Sequence, residues 1–434
     1  MPKGKRGKSK AGGRTSALKL DPSVLPESDE ESNFDNASII TIASESRFGS
    51  EDGTWAEEVE EEALSDDFEE KLKEAIDGTS QKSAKSRQTC LEVVRKSFTS
   101  RYMYDFIIER KMTITDMLER SLKKGKGEEQ GTAAILAALV CIHLGVGDDS
   151  EALFHELGPI FSQIVADRTA SPVARDKCAT ALGIYSFITN SGVGSLQSTM
   201  QLLHSIFSAS FLKGNGAVPS HAPELVVLHS HALLAWSLLV TISSTLQVIE
   251  LAESQLKKLP ELLESPDLEL RIAAGEAIAI LYEVIREERV DFEIENVDNL
   301  CETLRQLATD SHKFRAKKDR RQQRSSFRDI LRAVEEGEAP DVRVKFGREV
   351  LNIDSWCKKR QYDAICYILG SGMNLHLKEN ELLRDIFELG PPVTNGGMYQ
   401  KISKFDRHMG NVAACKARTK SRGKLRDKRA DIVG

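Results

Sequence analysis

The sequence predicts an all-α protein: an armadillo/HEAT-like α-solenoid, then a mostly helical C-terminal domain, then a basic C-terminal helix. Three observations carry this. From about residue 85 to 310, apolar residues recur at helical spacing between short breaks of Gly, Pro, Ser or Asp, with no room for a sheet. A loose repeat appears when RDKCATALGI from Arg175, HSHALLAWSL from His229 and RIAAGEAIAI from Arg271 are set in one frame; the offsets of 54 and 42 residues bracket the period of HEAT or armadillo units. In that frame Cys178 faces Ala274, Ala179 faces Gly275 and Ala181 faces Ala277. Small residues at i, i+3 and i+4 let stacked helices approach closely while the intervening Leu and Ile supply apolar contact.

Residues 1–70 read as a disordered arm. Glu27–Glu70 holds 17 acidic residues against one basic residue, Arg47, and too few aromatics to bury a core. The formal charge of −6 therefore hides a segregation, because residues 71–434 carry 48 acids and 52 bases. Residues 71–310 form the repeat body. Pro172 and Pro266, each after a serine, fit the first helical position behind a cap. Leu225–Ile242 has no formally charged residue and nears membrane-spanning length, but His229, Ser230, His231 and Ser237 interrupt it, so a buried solenoid helix is the expectation.

Residues 311–340 form a basic segment with an anchoring helix. SHKFRAKKDRRQQRSSFR carries eight cations and the single acid Asp319, and Phe327, Ile330, Leu331 and Val334 then follow at helical spacing. A surface loop is an equal alternative for the charged part. Within the C-terminal domain, 341–400, VRVKFGREVLNI alternates around Gly347 as a small hairpin would. Helices resume with SWCKKRQYDAICYILGSG and with ENELLRDIFELGPP, the latter stopped by Gly390, Pro391 and Pro392.

Residues 401–434 carry the sharpest pattern. Every even position from 416 to 428 is cationic (Lys416, Arg418, Lys420, Arg422, Lys424, Arg426, Lys428), with Arg429 following. On an α-helix a step of two residues turns about 200°, so these charges surround the cylinder and suit a site walled by phosphate. An extended strand would put them on one face, and a disordered tail or nuclear localisation signal has the same composition. No aromatic lies between Asn411 and Gly434, so base stacking is not indicated.

Chemistry is otherwise sparse. No Walker A loop, HExxH or GxSxG occurs, and GVG at 145–147 lacks the rest of a dinucleotide fingerprint. No catalytic residue, metal ligand or cofactor is expected. His229 and His231 are two apart, not the i, i+4 that places two ligands on one helical face. Glu276 and Glu283 lie on a helix without an assignable partner. Seven cysteines without a CxxC pair point to a reducing compartment and mostly buried thiols, and the N-terminus lacks an apolar signal region.

The strings LRIAAGEAIAILYE, LATDSHKFRAKKDRRQQRSSFRDILRAVE, LGSGMNLHLKENELLRDIFELGPP and KARTKSRGKLRDKRAD resemble the interferon-related developmental regulator family, from roughly residue 70 to the end. The resemblance implies an armadillo-like body, a family-specific C-terminal domain and no enzymatic activity. It implies one of two roles. The first is a ribosome-binding inhibitor of translation whose C-terminal helix occupies the mRNA path and tRNA sites of inactive ribosomes. The channel element then corresponds to Asn411–Arg429, with the eight cations above as RNA contacts. Lys313, Arg315, Lys317, Lys318, Arg320, Arg321 and Arg324 would form a secondary rRNA surface. The second is a nuclear transcriptional co-regulator in differentiation that holds transcription factors or deacetylase complexes on the concave solenoid face. The expected partner is thus ribosomal RNA or nuclear protein, with no membrane and no small-molecule substrate. The expected location is the cytoplasm, with a nuclear pool.

Overall fold

A computed structural model describes residues 57–189, 192–289, 292–309 and 316–392. The tail cations, together with Lys313 and Arg315, lie outside the described residues.

The chain opens with α1 (Glu57–Gly78) and α2 (Ala84–Ser100), so a helix occupies the end of the stretch read as a disordered arm. Its glutamates are good helix formers and favour the positive end of the helix dipole, while Leu72, Ala75 and Ile76 bury against α2. Arg101 stacks over Phe68 at 4.0 Å. There follow α3 (Tyr104–Glu109), α4 (Lys111–Lys124), α5 (Glu128–Leu144), α6 (Asp148–Ala166), α7 (Pro172–Thr189), α8 (Gly192–Phe207), α9 (Pro223–Val240), α10 (Thr245–Lys258), α11 (Leu268–Glu288), α12 (Val297–Thr309) and α13 (Lys317–Glu336).

These helices stack in two layers. The pairs α4/α5, α6/α7, α8/α9, α10/α11 and α12/α13 each pack internally, and the second members contact one another in sequence, α2 to α5, α7, α9, α11 and α13, as an inner row. The aligned strings thus mark equivalent inner helices. Close approach explains their small residues: a Cβ on Gly183 would lie 2.8 Å from Ala235 Cβ, and one on Gly275 2.7 Å from Ile330 Cδ1. The first-turn arginines also share a task. Arg175 Nε donates to Val165 O at 3.0 Å and Arg271 NH1 to Ser265 O at 2.5 Å, each satisfying a carbonyl where the preceding outer element ends.

The apolar stretch forms α9. It is long and apolar enough to cross a membrane, and it is packed against α7, α8 and α11 with Leu228, Leu233, Trp236 and Leu239 buried. Pro172 begins α7 as expected, whereas α11 is capped by Asp267, whose carboxylate accepts from Leu270 N at 2.9 Å. Pro266 therefore stands one residue before the cap, where its fixed φ suits the extended entry.

Beyond α13 the C-terminal region begins with β1 (Val342–Phe346) and β2 (Glu349–Ile353), antiparallel, with Phe346 opposite Glu349. The two-residue turn needs the left-handed conformation that Gly347 supplies at φ 54°. One face, Val344, Phe346, Leu351 and Ile353, is buried. Then come α14 (Trp356–Leu369), α15 (Met373–Glu379) and α16 (Glu381–Ile386). The last helix stops earlier than its Gly-Pro-Pro signal suggests, because Arg384 collects the carbonyls that follow.

This region straps along the inner row. Helix α14 contacts α5, α9 and α11, and the turn at 370–372 contacts α2. Glu283 of α11 caps α14, accepting from Trp356 N at 2.7 Å and Cys357 N at 2.9 Å. Lys359 bridges Glu276 at 2.6 Å and Asp363 at 2.8 Å. Farther along, Asn380 Nδ2 donates to Ile142 O at 3.0 Å, and a Cβ on Gly372 would lie 1.9 Å from Thr99 O, so only glycine fits there. His143 and His376 both approach Phe98 O, at 2.9 and 3.2 Å. Burial holds the His143 pKa down to about 3 and that of His376 to about 4; the neighbouring His376 lowers His143 further.

Candidate nucleic-acid interface

The described part of the expected RNA surface is the first half of α13. The charged run is not a loop preceding an anchor: it is helical from Lys317 onward, in one piece with Phe327, Ile330 and Val334. Lys, Arg and Gln are good helix formers, so the run needs no apolar residues of its own to continue the helix. At 100° per residue, Lys317, Arg321, Arg324 and Arg328 fall at i, i+4, i+7 and i+11 on one exposed stripe, and Arg332 extends it by another turn. Gln323, Phe327, Ile330, Ala333 and Val334 bury the opposite side.

Two polar devices fix this helix. Gln323, 2% exposed, accepts from Arg271 NH2 at 2.7 Å and donates to Leu307 O at 3.2 Å, pinning the basic turns to α11 and α12. At the other end Arg286 donates to Ala333 O at 3.0 Å and Val334 O at 2.8 Å, satisfying carbonyls the helix leaves free, and Gly337 closes it in the left-handed conformation at φ 68°. The cations are thus presented on a rigid element.

Their placement runs against local preference. Lys317 and Lys318 stand in the first turn, where the helix dipole favours anions, and Asp319 is the one acid there. Among the described residues Lys317, Lys318 and Arg321 make no salt bridge or hydrogen bond through their side chains; Arg324 Nε donates to Arg320 O at 3.3 Å. These exposed cations are therefore left open to solvent on a helix whose first turn does not favour them. Arg328 and Arg332 were not among the expected contacts, although their i+4 spacing from Arg324 and Arg328 was readable.

The remaining candidate groups have structural employment. His229 faces Ser210 Oγ at 2.7 Å with its pKa held down to about 4, chiefly by burial, whereas His231 Nδ1 pairs with the buried Asp176, so the two rings serve different partners. Glu276 and Glu283 both have partners, on α14. Among the described residues no group of three or more His, Cys, Asp or Glu side chains gathers as a metal site would require.

Fold and surface together define a helical-repeat protein whose inner row is covered by its own C-terminal domain and whose final repeat displays a fixed basic helix. The chain belongs to the interferon-related developmental regulator family. The model of that family matches residues 36–335, and that of the interferon-related protein conserved region matches residues 380–430, which contain all eight tail cations. The match thus reaches back to residue 36, ahead of the residue near 70 from which the resemblance was expected to run. The chain is 48% identical to interferon-related developmental regulator 1 of Sus scrofa over 412 residues, 94% of this chain and 91% of the relative. To the Homo sapiens protein of that name it is 47% identical, with the same coverage. Interferon-related developmental regulator 2 of Mus musculus is 47% identical over 386 residues, 88% of each chain, so identity does not separate the two relatives. The family is one of developmental regulators, not a known family of enzymes.

Proposed function

We propose that this chain is a ribosome-binding inhibitor of translation that works by occupancy, docking its helical body on inactive ribosomes while the basic C-terminal segment fills the mRNA path and tRNA sites. The observation that carries the reading is the charge pattern of residues 416–429, where cations at every even position from 416 to 428 would surround the cylinder of a helix. Such a rod matches a passage walled by RNA phosphate better than the flat side of a protein. No bond is made or broken.

Two structural facts support it. The α13 stripe is a second cationic element, preset and exposed, that would orient the body on rRNA. The inner-row face, which a nuclear scaffold would use to hold transcription factors or deacetylase subunits, is covered by α14 through Glu283, Lys359 and the apolar contacts around them. Ribosomal RNA is therefore the proposed partner, and the cytoplasm, with a nuclear pool, the proposed location.

Removal of residues 411–434 tests this in a cell-free translation assay. The truncated protein should remain folded and lose inhibition. Undiminished inhibition would refute occupancy by the tail.

A further inference from the structure

Beyond RNA binding, a cavity of about 410 Å³ lies under α14, between it and α7, α9, α11 and α13. Its floor is aliphatic, with Leu234, Leu238 and Ile272, and its size falls within the range of small-molecule sites. Most of the charged groups on its wall have close partners. Lys359 is held by Glu276 and Asp363, Glu269 accepts from Gln322 at 3.2 Å, and His231 is paired with Asp176. Arg360 is held least: its one ion pair, to Glu276, is long, at 3.9 Å.

The Arg360 side chain is 7% exposed, and among the described residues it makes no hydrogen bond. Its Nε is buried without an acceptor, and the nearest carboxylate oxygen, on Glu276, stands 3.9 Å from NH1. A buried guanidinium is normally satisfied, most often by a carboxylate that takes two of its parallel N–H groups. We infer that this cavity is a binding site for a small apolar monocarboxylate, whose carboxylate pairs with Arg360 and whose hydrocarbon body lies on the aliphatic floor. An amine, charged as an ammonium, offers the guanidinium no acceptor. A neutral hydroxyl could accept one hydrogen bond from the guanidinium but supplies neither a countercharge nor the paired acceptors of a carboxylate.

The site is made jointly by the repeat body and α14, so occupancy should also hold the strap closed. Isothermal titration of the full-length chain with octanoate, octanol and octylamine tests the inference. Octanoate should bind one to one and at least tenfold more tightly than octanol, with octylamine no better than octanol. Arg360→Gln should weaken octanoate at least tenfold and leave octanol unchanged. Ser326→Trp, at the partly exposed α13 wall of the cavity, should weaken octanoate while circular dichroism stays that of the parent; this second variant decides the matter if Arg360→Gln does not fold. Equal binding of octanoate and octanol, no binding of octanoate, or octanoate affinity untouched by the folded variants would overturn the assignment.

Discussion

Replacing Arg384 by methionine should detach the end of the C-terminal domain while leaving the repeat body intact. The side chain is 2% exposed and joins three pieces of chain. It donates to Leu377 O at 3.0 Å, Lys378 O at 3.4 Å, Leu389 O at 3.0 Å, Gly390 O at 2.6 Å and Pro391 O at 3.0 Å. It also grips Glu349 of β2 with both terminal nitrogens, at 2.8 and 3.1 Å. A hydrogen bond from a charged donor contributes roughly 1.5–3 kcal/mol, but these share one group and do not add. Gly390 and Pro391 are exposed, so water can replace the lost donor there; Leu377 is fully buried, and its carbonyl and the Glu349 carboxylate are less easily compensated. Breaking a buried pair on one side costs about 3–5 kcal/mol. Hydrogen exchange read by mass spectrometry should therefore show protection in 349–353 and 381–389 falling by about two to three and a half orders of magnitude, at roughly 1.4 kcal/mol per tenfold. Peptides from α7 and α9 should not change. Arg384→Lys should behave almost like Arg384→Met, because one ammonium cannot reach the same acceptors. Protection within threefold of the parent in both variants would refute the reasoning.

Two further outcomes follow. Reversing charge on the stripe, Lys317, Arg321 and Arg324 to Glu, should weaken ribosome association and lessen its log–log salt slope by about 2, at about 0.7 per lost phosphate contact. Stability by thermal melting should hold or rise slightly, because an anion at Lys317 favours the helix dipole; a fall in both would mean the stripe is structural. Stability should also depend on pH through the buried neutral histidines, whose folded pKa values of about 3 for His143 and about 4 for His229 and His376 lie below the unfolded value near 6.5. Only the unfolded chain takes up protons on these rings as pH falls from about 6.5 towards 4. Their stabilisation is complete above pH 7 and is lost at up to about 1.4 kcal/mol per pH unit per ring on acidification. Urea melts of the parent and His143→Gln at pH 7.5 and 5 check this, with the difference between the two pH values smaller in the variant.

Much of the fold was legible because it rests on local signals. The Ala, Gly and Cys positions around 178, 235 and 275 announce close-packed inner helices, and alternation around Gly347 announces the hairpin. The start of α13 was hidden, since eight cations carry no apolar period, although their helix propensity was readable. What could not be read were pairings between residues far apart in the chain: Glu283 with the start of α14, Glu276 with Lys359, Arg384 with Glu349 and Gln323 with Arg271. Each is an ordinary polar residue until the fold brings its partner to it. The strap of α14 across the inner row, and with it the Arg360 cavity, depends on such pairings together with the apolar contacts around them.

Sedimentation of the full-length protein with ribosomes over a range of salt, beside a variant with Lys420, Arg422 and Lys424 changed to Glu, tests occupancy by the basic tail most directly. The parent should travel with ribosomal particles with a log–log salt slope of roughly −5 to −6, from eight contacts at about 0.7 each, and the variant should remain near the top of the gradient. Equal, salt-indifferent co-sedimentation of both proteins, or a parent that never leaves the top fractions, would contradict it.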